Sequence, residues 1–290
     1  MTTLVSGGTG FVGRFIVEAL LRQGRSVRVM GRTPPADGFF FAPVEFVQGS
    51  LGPDSDQSAA FDSITLFVHA AFDHVPGRYR GGEGDDPAAF RRRNLDGSVA
   101  LFEAAKRAGV ERAVFLSSRA VYGVQLPGVD LTERTEPHPD TLYGEVKLAA
   151  ERALTAMSGD GFRGVSLRVT GVYGPAAPGR PHKWSGLFDD YLAGRPVEPR
   201  RATEVHGDDV AAAVLAALDA PEPPPVLNVS DILLDRHDLL AIVKSATGSA
   251  HPLPPRSSKP VNAMDCARLR SLGWRPGGMN LLDRTVRAML

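Results

Sequence analysis

Tyr143 and Lys147 stand four residues apart at the start of a segment, 143–157, that is predicted to be a helix. Residues four apart share one face of a helix, so the phenol and the ammonium point the same way. A cation beside a phenol favours the phenolate and lowers the pKa of the phenol from about 10 toward working pH. Such a phenol can exchange a proton with a substrate hydroxyl or carbonyl. The spacing therefore indicates a general acid/base pair.

A pair of serines ends a predicted strand upstream of this helix. Ser117 and Ser118 lie in the run Phe115–Gly123. A serine hydroxyl at the end of a strand can hold the same substrate oxygen by a hydrogen bond. Because Tyr-x-x-x-Lys alone is common on surface helices, its catalytic interpretation depends on what else the chain carries.

The chain begins with a loop suited to a dinucleotide. A predicted strand, Thr3–Ser6, runs directly into Gly7-Gly8-Thr9-Gly10-Phe11-Val12-Gly13. Glycine permits the tight turn and leaves no Cβ between the backbone and a pyrophosphate, while the amides at the start of the next helix face the anion. After a strand and before an amphipathic helix, the spacing Gly7-x-x-Gly10-x-x-Gly13 predicts a dinucleotide-binding loop.

The end of the second predicted strand, Ser26–Met30, bears on which dinucleotide binds. In this fold an acid there binds the adenosine ribose of NAD, whereas a nearby arginine accommodates the 2′-phosphate of NADP. This chain has no acid at that point, and Arg32 lies 19 residues after Gly13, close to the usual offset. A guanidinium can bind phosphate through two parallel hydrogen bonds. The sequence therefore favours NADP, with NAD as the alternative.

Strands and helices alternate along the first two thirds of the chain, which is the pattern of a parallel sheet covered by helices. The predicted fold class is α/β, a Rossmann-type doubly wound parallel sheet with a smaller, interleaved α/β substrate-binding domain. Gly109 is predicted to stop a helix, and the glycine-rich loop 72–87 is interpreted as a lid. The predicted strands are Thr3–Ser6, Ser26–Met30, Val44–Val47, Leu66–His69, Ala113–Ser117 and Val165–Val169, and the predicted helices are Val12–Gln23, Ala88–Ala108, Tyr143–Met157 and Asp208–Leu218.

The amino-acid composition of the sequence changes after residue 174. Residues 175–181 are rich in proline, glycine and alanine, and 221–225 form a proline cluster. We expect a dinucleotide-binding domain formed by residues 1–174 and 205–230. Residues 175–204 and 231–290 are expected to form the substrate-binding domain, so the two are interleaved along the chain.

Composition excludes several other classes. The chain of 290 residues has 33 Lys and Arg against 33 Asp and Glu, so no global charge favours nucleic acid or an anionic membrane. No apolar run approaches the roughly 18–20 residues of a membrane span and no secretory signal is recognised, so a cytoplasmic location is expected. The single cysteine, Cys266, excludes a disulfide framework, and the histidines lack metal-ligand spacing, so no metal is expected.

Further motifs follow in order along the chain: Val68-His69-Ala70-Ala71, Asn94-Leu95-Asp96-Gly97-Ser98, Leu116–Gly123, Leu167-Arg168 with Tyr173-Gly174-Pro175, Val205–Val210 and Leu272-Gly273-Trp274-Arg275-Pro276. With the glycine loop and the Tyr143–Lys147 segment, they make the chain resemble the extended short-chain dehydrogenase/reductase superfamily, the NAD-dependent epimerase/dehydratase type. The resemblance spans nearly the whole chain and depends on the order and spacing of its parts.

The resemblance implies a role for each matched residue. Tyr143 would be the general acid/base, Lys147 would bind the nicotinamide ribose and lower the pKa of the tyrosine, and Ser118 would orient the substrate oxygen. Asn94 would hold the strand-end geometry near the nicotinamide. The expected cofactor contacts are Gly7, Thr9, Gly10, Phe11, Val12, Gly13, Arg32, Ala70, Ala71, Asn94, Ser117, Tyr143 and Lys147. The expected substrate contacts are Phe72, Arg119, Gly171, Lys183 and Trp184.

Departures from the family pattern narrow the substrate. Arg119 and Ala120 stand where sugar-nucleotide dehydratases often carry Asp-Glu, so 4,6-dehydration is not expected. Gly171 stands where many sugar-nucleotide enzymes have an asparagine that binds the diphosphate, and Ala202 falls closest to the family's arginine before the His-x-Asp-Asp element. Binding of a nucleotide sugar is therefore left open.

The expected function is hydride transfer between NADP(H) and a secondary alcohol or carbonyl, with sugars among the candidate substrates. An NADP-type pocket fits net reduction better than epimerisation. A UDP-hexose type epimerase is the first alternative. A dinucleotide-sensing regulator without turnover is the second, although such relatives commonly lose the Tyr-x-x-x-Lys pair that this chain keeps. The resemblance also implies a homodimer formed through helices 88–108 and 143–157.

Overall fold

A parallel sheet organises the first 230 residues of the chain. The computed structural model describes residues 1–74, 82–159, 161–177 and 179–290 of the full chain. The strands are β1 (Thr2–Ser6), β2 (Ser26–Gly31), β3 (Glu45–Gln48), β4 (Ile64–His69), β5 (Arg112–Ser118), β6 (Arg163–Val169), β7 (Gly171–Tyr173), β8 (Arg201–His206), β9 (Val226–Val229) and β10 (Ile232–Asp235). The helices are α1 (Phe11–Arg22), α2 (Pro87–Arg91), α3 (Gly97–Arg107), α4 (Leu142–Met157), α5 (Ser185–Leu192), α6 (Gly207–Asp219), α7 (Arg236–Thr247), α8 (Ala267–Ser271) and α9 (Gly278–Ala288), with a π-helical turn at Arg92–Asp96 and 3₁₀ turns at Ser58–Phe61 and Arg119–Tyr122.

In the described part of the chain, seven strands form one sheet in the order β3-β2-β1-β4-β5-β6-β9. Every neighbouring pair is parallel, and Ser6 is in register with Met30 on one side and with His69 on the other. The predicted α/β, doubly wound fold class is therefore confirmed. The carboxyl ends of β1, β2 and β4 meet at one edge, so the loops that follow them share a crevice, where ligands bind in this fold.

Successive residues of the strands point to opposite faces of the sheet. Val5 and Val29 lie in a buried cluster with residues of α1 and α6. Leu4 and Met30 lie in a second cluster with residues of α3 and α4. Helices therefore cover both faces, and each fully buried Val or Leu contributes about 1.5–3 kcal/mol of hydrophobic stabilisation.

Local periodicity identifies the elements of this sheet well. The first six strands lie within two residues of their predicted bounds, and the helical stop at Gly109, where φ is 80°, is confirmed. The predicted helix 88–108 is a continuous helical run over 87–107, in which a π-helical turn that was not predicted lies between α2 and α3. In that turn Asn94 is 1% exposed and bonds to the backbone of Asp73. Such turns are frequent at functional sites.

The strands β7, β8 and β10 form a separate, smaller sheet, in which β7 is parallel and β10 antiparallel to β8. A third apolar cluster joins this sheet to α5, α7 and α9. Cys266 and Trp274, late in the chain, pack instead in the cluster of α1 and α6. The division into domains at residues 174, 204 and 230 stays a prediction.

Two features of the described residues bear on other functions. Within the described ranges, no helix is both long and apolar enough to cross a bilayer. Among these same residues, no cluster of His, Cys, Asp or Glu side chains could hold a metal ion. The predicted lid, 72–87, lies partly outside the described residues, which omit 75–81.

Candidate active site

Two glycines of the loop, Gly7 and Gly13, have no room for a side chain. Gly7 has a φ of 72°, and a Cβ there would lie 2.7 Å from the Cα of Ala71. A Cβ at Gly13 would lie 2.1 Å from the carbonyl oxygen of Gly7. Gly10 is the N-cap of α1 and has no side chain to cap the helix amides. The loop is therefore a bare backbone cradle at a helix N-terminus, which fits the pyrophosphate of a dinucleotide.

Other predicted cofactor contacts lie around this cradle. Thr9 is exposed on the loop, while Phe11 and Val12 are half-buried at the start of α1. The N–H of Ala70 donates to the carbonyl of Ser6 at 3.1 Å and extends the strand pairing toward the cradle. Arg32 follows β2 directly, with 81% of its side chain exposed, so its guanidinium is accessible to a ligand.

Lys147 is buried beside the predicted catalytic tyrosine. Its Nζ donates to the carbonyl of Leu116 at 2.7 Å and lies 4.3 Å from the ring centroid of Phe72. The Tyr143 ring packs edge-on against Phe72, with 5.1 Å between centroids, and lies 5.9 Å from Lys147 Nζ. Burial lowers the pKa of Lys147 to about 7, and the charge of Glu151 opposes this shift. Phe72, a predicted substrate contact, therefore touches both members of the pair.

The first turn of α4 packs directly on the end of β5. Ser118 ends β5, and its Oγ accepts the N–H of Ala120 at 3.1 Å. A Cβ at Gly144, the residue after Tyr143, would lie 2.6 Å from the carbonyl oxygen of Ala120. Because Gly144 has none, the helix can approach the turn that follows Ser118. The structure thus brings the predicted Ser118, Tyr143 and Lys147 to the carboxyl end of β5.

Sequence reasoning missed a buried ion pair beside these residues. Glu151 Oε2 lies 2.8 Å from Arg168 Nη2, and the two side chains are 3% and 5% exposed. Ser117 donates its hydroxyl proton to Glu151, so this side chain has no proton left to donate to a cofactor. Glu151 follows Lys147 by four residues and therefore shares its helix face, which is the signal that could have found it.

A buried histidine links the strand ends to the π-helical turn. His69 Nδ1 lies 2.7 Å from Ser6 Oγ, and Nε2 lies 2.9 Å from Ser98 Oγ. Burial, helped by the charge of Lys147, lowers the pKa of His69 to about 3, so the ring is neutral. Ser98 in turn donates to the carbonyl of Asn94. The side-chain amide of Asn94 bonds to the backbone of Asp73 and of Phe90, so it ties the segment after β4 to this helical region.

Gly171 lies against an ion pair. A Cβ at Gly171 would lie 2.7 Å from Glu204 Oε2 and 2.8 Å from Lys183 Nζ. Lys183 donates to Glu204, which is buried. Burial lowers the pKa of Lys183 and raises that of Glu204, and the partner's charge opposes each shift. Sequence reasoning missed Glu204, whose carboxylate lies where a side chain at position 171 would project.

The remaining predicted substrate residues have structural contacts of their own. Trp184 is 7% exposed and stacks on Tyr173 with 5.1 Å between ring centroids. With Lys183 it also borders a cavity of about 470 Å³. Arg119 donates to the carbonyl of Asn262 at 3.1 Å. Another cavity, of about 590 Å³, lies at the amino ends of β5 and β6, away from the predicted catalytic residues.

A Rossmann-type sheet with a bare glycine cradle and with Ser, Tyr and Lys gathered at its carboxyl edge defines a dinucleotide-dependent enzyme of the short-chain dehydrogenase/reductase class. The chain belongs to the NAD dependent epimerase/dehydratase family, which it matches over residues 3–230. The resemblance inferred from the motifs is thereby confirmed.

The proteins similar to this chain include a steroid dehydrogenase, a protein solved with a UDP-sugar and a UDP-glucose 4-epimerase. A 3 beta-hydroxysteroid dehydrogenase/Delta 5-->4-isomerase of Mycobacterium tuberculosis is 35% identical over 202 residues, which are 66% of this chain and 51% of that protein. The structure of MoeE5 in complex with UDP-glucuronic acid and NAD has a TM-score of 0.80 and 27% identity, covering 98% of this chain and 97% of MoeE5. The UDP-glucose 4-epimerase of Thermus thermophilus, in complex with NAD, has a TM-score of 0.76 and 29% identity and covers 100% of both chains. The chain spans about half the length of the first curated relatives that it matches.

Proposed function

We propose that the chain transfers a hydride between NADP(H) and a secondary alcohol or carbonyl compound, with sugars among the candidate substrates. The observation that carries this proposal is the buried Lys147 ammonium beside Tyr143 on one face of α4, with Phe72 against both. This arrangement supports proton exchange at the phenol. A protein that only senses a dinucleotide needs no such proton exchange, and relatives of that kind commonly lose the pair.

The chain's own residues move the proton, hold the substrate oxygen and bind the cofactor. The phenol oxygen of Tyr143 gives a proton to the substrate carbonyl oxygen during reduction, or takes one from the hydroxyl during oxidation. The charge of Lys147 favours the phenolate, and Ser118 Oγ holds the substrate oxygen by a hydrogen bond. The glycine cradle and Arg32 would bind the dinucleotide, which supplies or accepts the hydride.

The proposed preference for NADP depends on Arg32. Family membership and the NAD-bound relatives support a nicotinamide dinucleotide in general. The accessible guanidinium at the end of β2, in a chain without an acid there, supports a 2′-phosphate in particular.

Replacing Arg32 with Ala should weaken binding of NADPH about tenfold, the effect of losing a charge-assisted hydrogen bond of ~1.4 kcal/mol, while binding of NADH changes less than twofold. Quenching of nicotinamide fluorescence on binding would measure both affinities. Arg107→Ala is the matched control, because Arg107 is 71% exposed at the end of α3 and pairs with Glu103. An equal loss for both dinucleotides, or no loss for either, would disprove the preference.

We further infer that the substrate carries no diphosphate beside Gly171. A diphosphate there would meet the carboxylate of Glu204 as well as the ammonium of Lys183, and because these two charges already pair with each other the site offers no net positive charge to hold an anion. The contrary candidate, a nucleotide-sugar epimerase, is supported by the similarity to the UDP-glucose 4-epimerase of Thermus thermophilus, and binding of a UDP-sugar by the similarity to MoeE5 in complex with UDP-glucuronic acid. The two candidates differ in whether a UDP-sugar binds at all.

Thermal melting of the NADP⁺-saturated protein should therefore show no further rise when UDP-glucose or UDP-glucuronic acid is added. A ligand at 100 times its Kd adds about 2.7 kcal/mol, which raises the Tm of a chain of this size by several degrees. The rise produced by NADP⁺ alone serves as the positive control. A clear rise with either sugar nucleotide would disprove the inference about Gly171 and favour an epimerase or a reductase that acts on a nucleotide sugar.

Two expectations stay predictions. The homodimer through α3 and α4 is a prediction from the family resemblance, and so is the cytoplasmic location.

A further inference from the structure

A carboxylate faces Arg32 from the other side of the dinucleotide crevice. Asp73 follows β4, whereas Arg32 follows β2, and β1 lies between these two strands. Even so, Arg32 Nη1 lies 3.9 Å from Asp73 Oδ1. The pair therefore spans the carboxyl end of β1, directly beyond which the glycine loop begins.

Asp73 is held firmly in this position. Its N–H donates to Asn94 Oδ1 at 2.7 Å, and its carbonyl accepts from Asn94 Nδ2 at 2.8 Å. Its other carboxylate oxygen, Oδ2, lies 2.5 Å from Nε of Arg93 in the π-helical turn. Asn94 is 1% exposed, so its two hydrogen bonds fix the backbone of Asp73, and with it the carboxylate, to the protein core.

We propose that Asp73 determines cofactor specificity by competing with the 2′-phosphate of NADP for Arg32. The inference rests on the proposed binding of that phosphate by Arg32. A phosphate on Arg32 carries about −1.5 to −2 charge and comes close to the Asp73 carboxylate, whereas the neutral ribose hydroxyls of NAD do not meet this repulsion. Asp73 thus limits the preference for NADP that Arg32 creates and keeps NAD usable.

Replacing Asp73 with Asn tests this directly. The variant removes the charge and keeps the shape of the side chain and the two backbone hydrogen bonds to Asn94. We expect NADPH to bind about fivefold more tightly, equivalent to ~1 kcal/mol, and NADH to change less than twofold. Titration of the full chain with NADPH and with NADH, followed by calorimetry or nicotinamide fluorescence, gives both Kd values.

Two controls identify the cause of the change. Asp219→Asn removes an aspartate that pairs with Arg25 at 2.6 Å at the amino edge of the sheet, and it should change neither Kd. The fivefold gain of Asp73→Asn should disappear when Arg32 is already Ala, because coupled residues are not additive. It should also shrink when salt is raised from 0.01 M to 1 M, since the Debye length falls from about 30 Å to about 3 Å.

Three results would overturn the inference: an unchanged NADPH affinity in Asp73→Asn, an equal gain for NADH, or a gain that persists in the Arg32→Ala background. The outcome for Arg32→Ala alone separates this inference from the proposal beneath it. If that variant loses NADPH selectivity and Asp73→Asn gains none, only the role of Asp73 fails. If Arg32→Ala loses no selectivity, both fail together.

Discussion

Tyr143→Phe should lower kcat by roughly 10²–10⁴-fold, because it removes the only phenol oxygen assigned to proton transfer. The substitution keeps the ring, which packs against Phe72 with 5.1 Å between centroids, so the neighbourhood of Lys147 is preserved. Binding of NADPH should stay within twofold of the wild type. The measurement is turnover of a carbonyl substrate by loss of nicotinamide absorbance, alongside titration with NADPH.

The control for this variant is Tyr191→Phe. Tyr191 also loses a phenol oxygen, which donates to the carbonyl of His251 at 3.0 Å, but it lies in the apolar cluster of α5, α7 and α9. Its kcat should be unchanged. Full activity in Tyr143→Phe would exclude Tyr143 as the acid/base. A parallel loss of NADPH binding would mean that the phenol serves to bind the cofactor instead.

The parts of the site that could be predicted depend on neighbours in sequence. The glycine loop follows from spacing within seven residues, and the Tyr143–Lys147 pair from one turn of a helix. The parallel sheet follows from alternating periodicity, which also places these loops at one edge. Glu151 belongs to the same group, because its distance from Lys147 along α4 is again four residues.

The parts that could not be predicted depend on residues far apart in sequence. Asp73 lies close to Arg32 because β2 and β4 both pair with β1, so the loops that follow these two strands lie on either side of its carboxyl end. Glu204 lies beside Gly171 only because β7 and β8 pair in the smaller sheet. Neither contact leaves a periodic signal, so composition and spacing give no indication of either. The π-helical turn is similar, since Asn94 within it bonds to the backbone of Asp73, which is 21 residues away in sequence.

Glu151→Gln should destabilise the fold by roughly 3–5 kcal/mol, the cost of leaving one member of a buried ion pair without its counter-charge. Arg168 depends on Glu151 for three hydrogen bonds, from Nε at 3.2 Å to each oxygen and from Nη2 at 2.8 Å. In the described residues its Nη1 is buried and has no hydrogen-bond partner, and besides Glu151 the guanidinium has the ring of Tyr122, whose centroid is 4.8 Å away, but no second carboxylate in an ion pair with it. Urea unfolding would measure the change, provided that the m-value stays constant.

Two further variants separate the charge from the position. Glu103→Gln removes a carboxylate of α3 that pairs with Arg107 at 3.6 Å in solvent, and it should cost less than about 1 kcal/mol.

Replacing Glu151 and Arg168 together with Met should recover most of the stability, because an apolar pair of similar volume often substitutes for a buried ion pair without loss. That double variant should still lose activity, since Lys147 then lacks the negative charge that opposes its desolvation and Ser117 lacks its acceptor. If Glu151→Gln unfolds at the same urea concentration as Glu103→Gln, the pair contributes nothing to the fold. If the double variant also turns over substrate at the wild-type rate, the pair has no part in positioning the site.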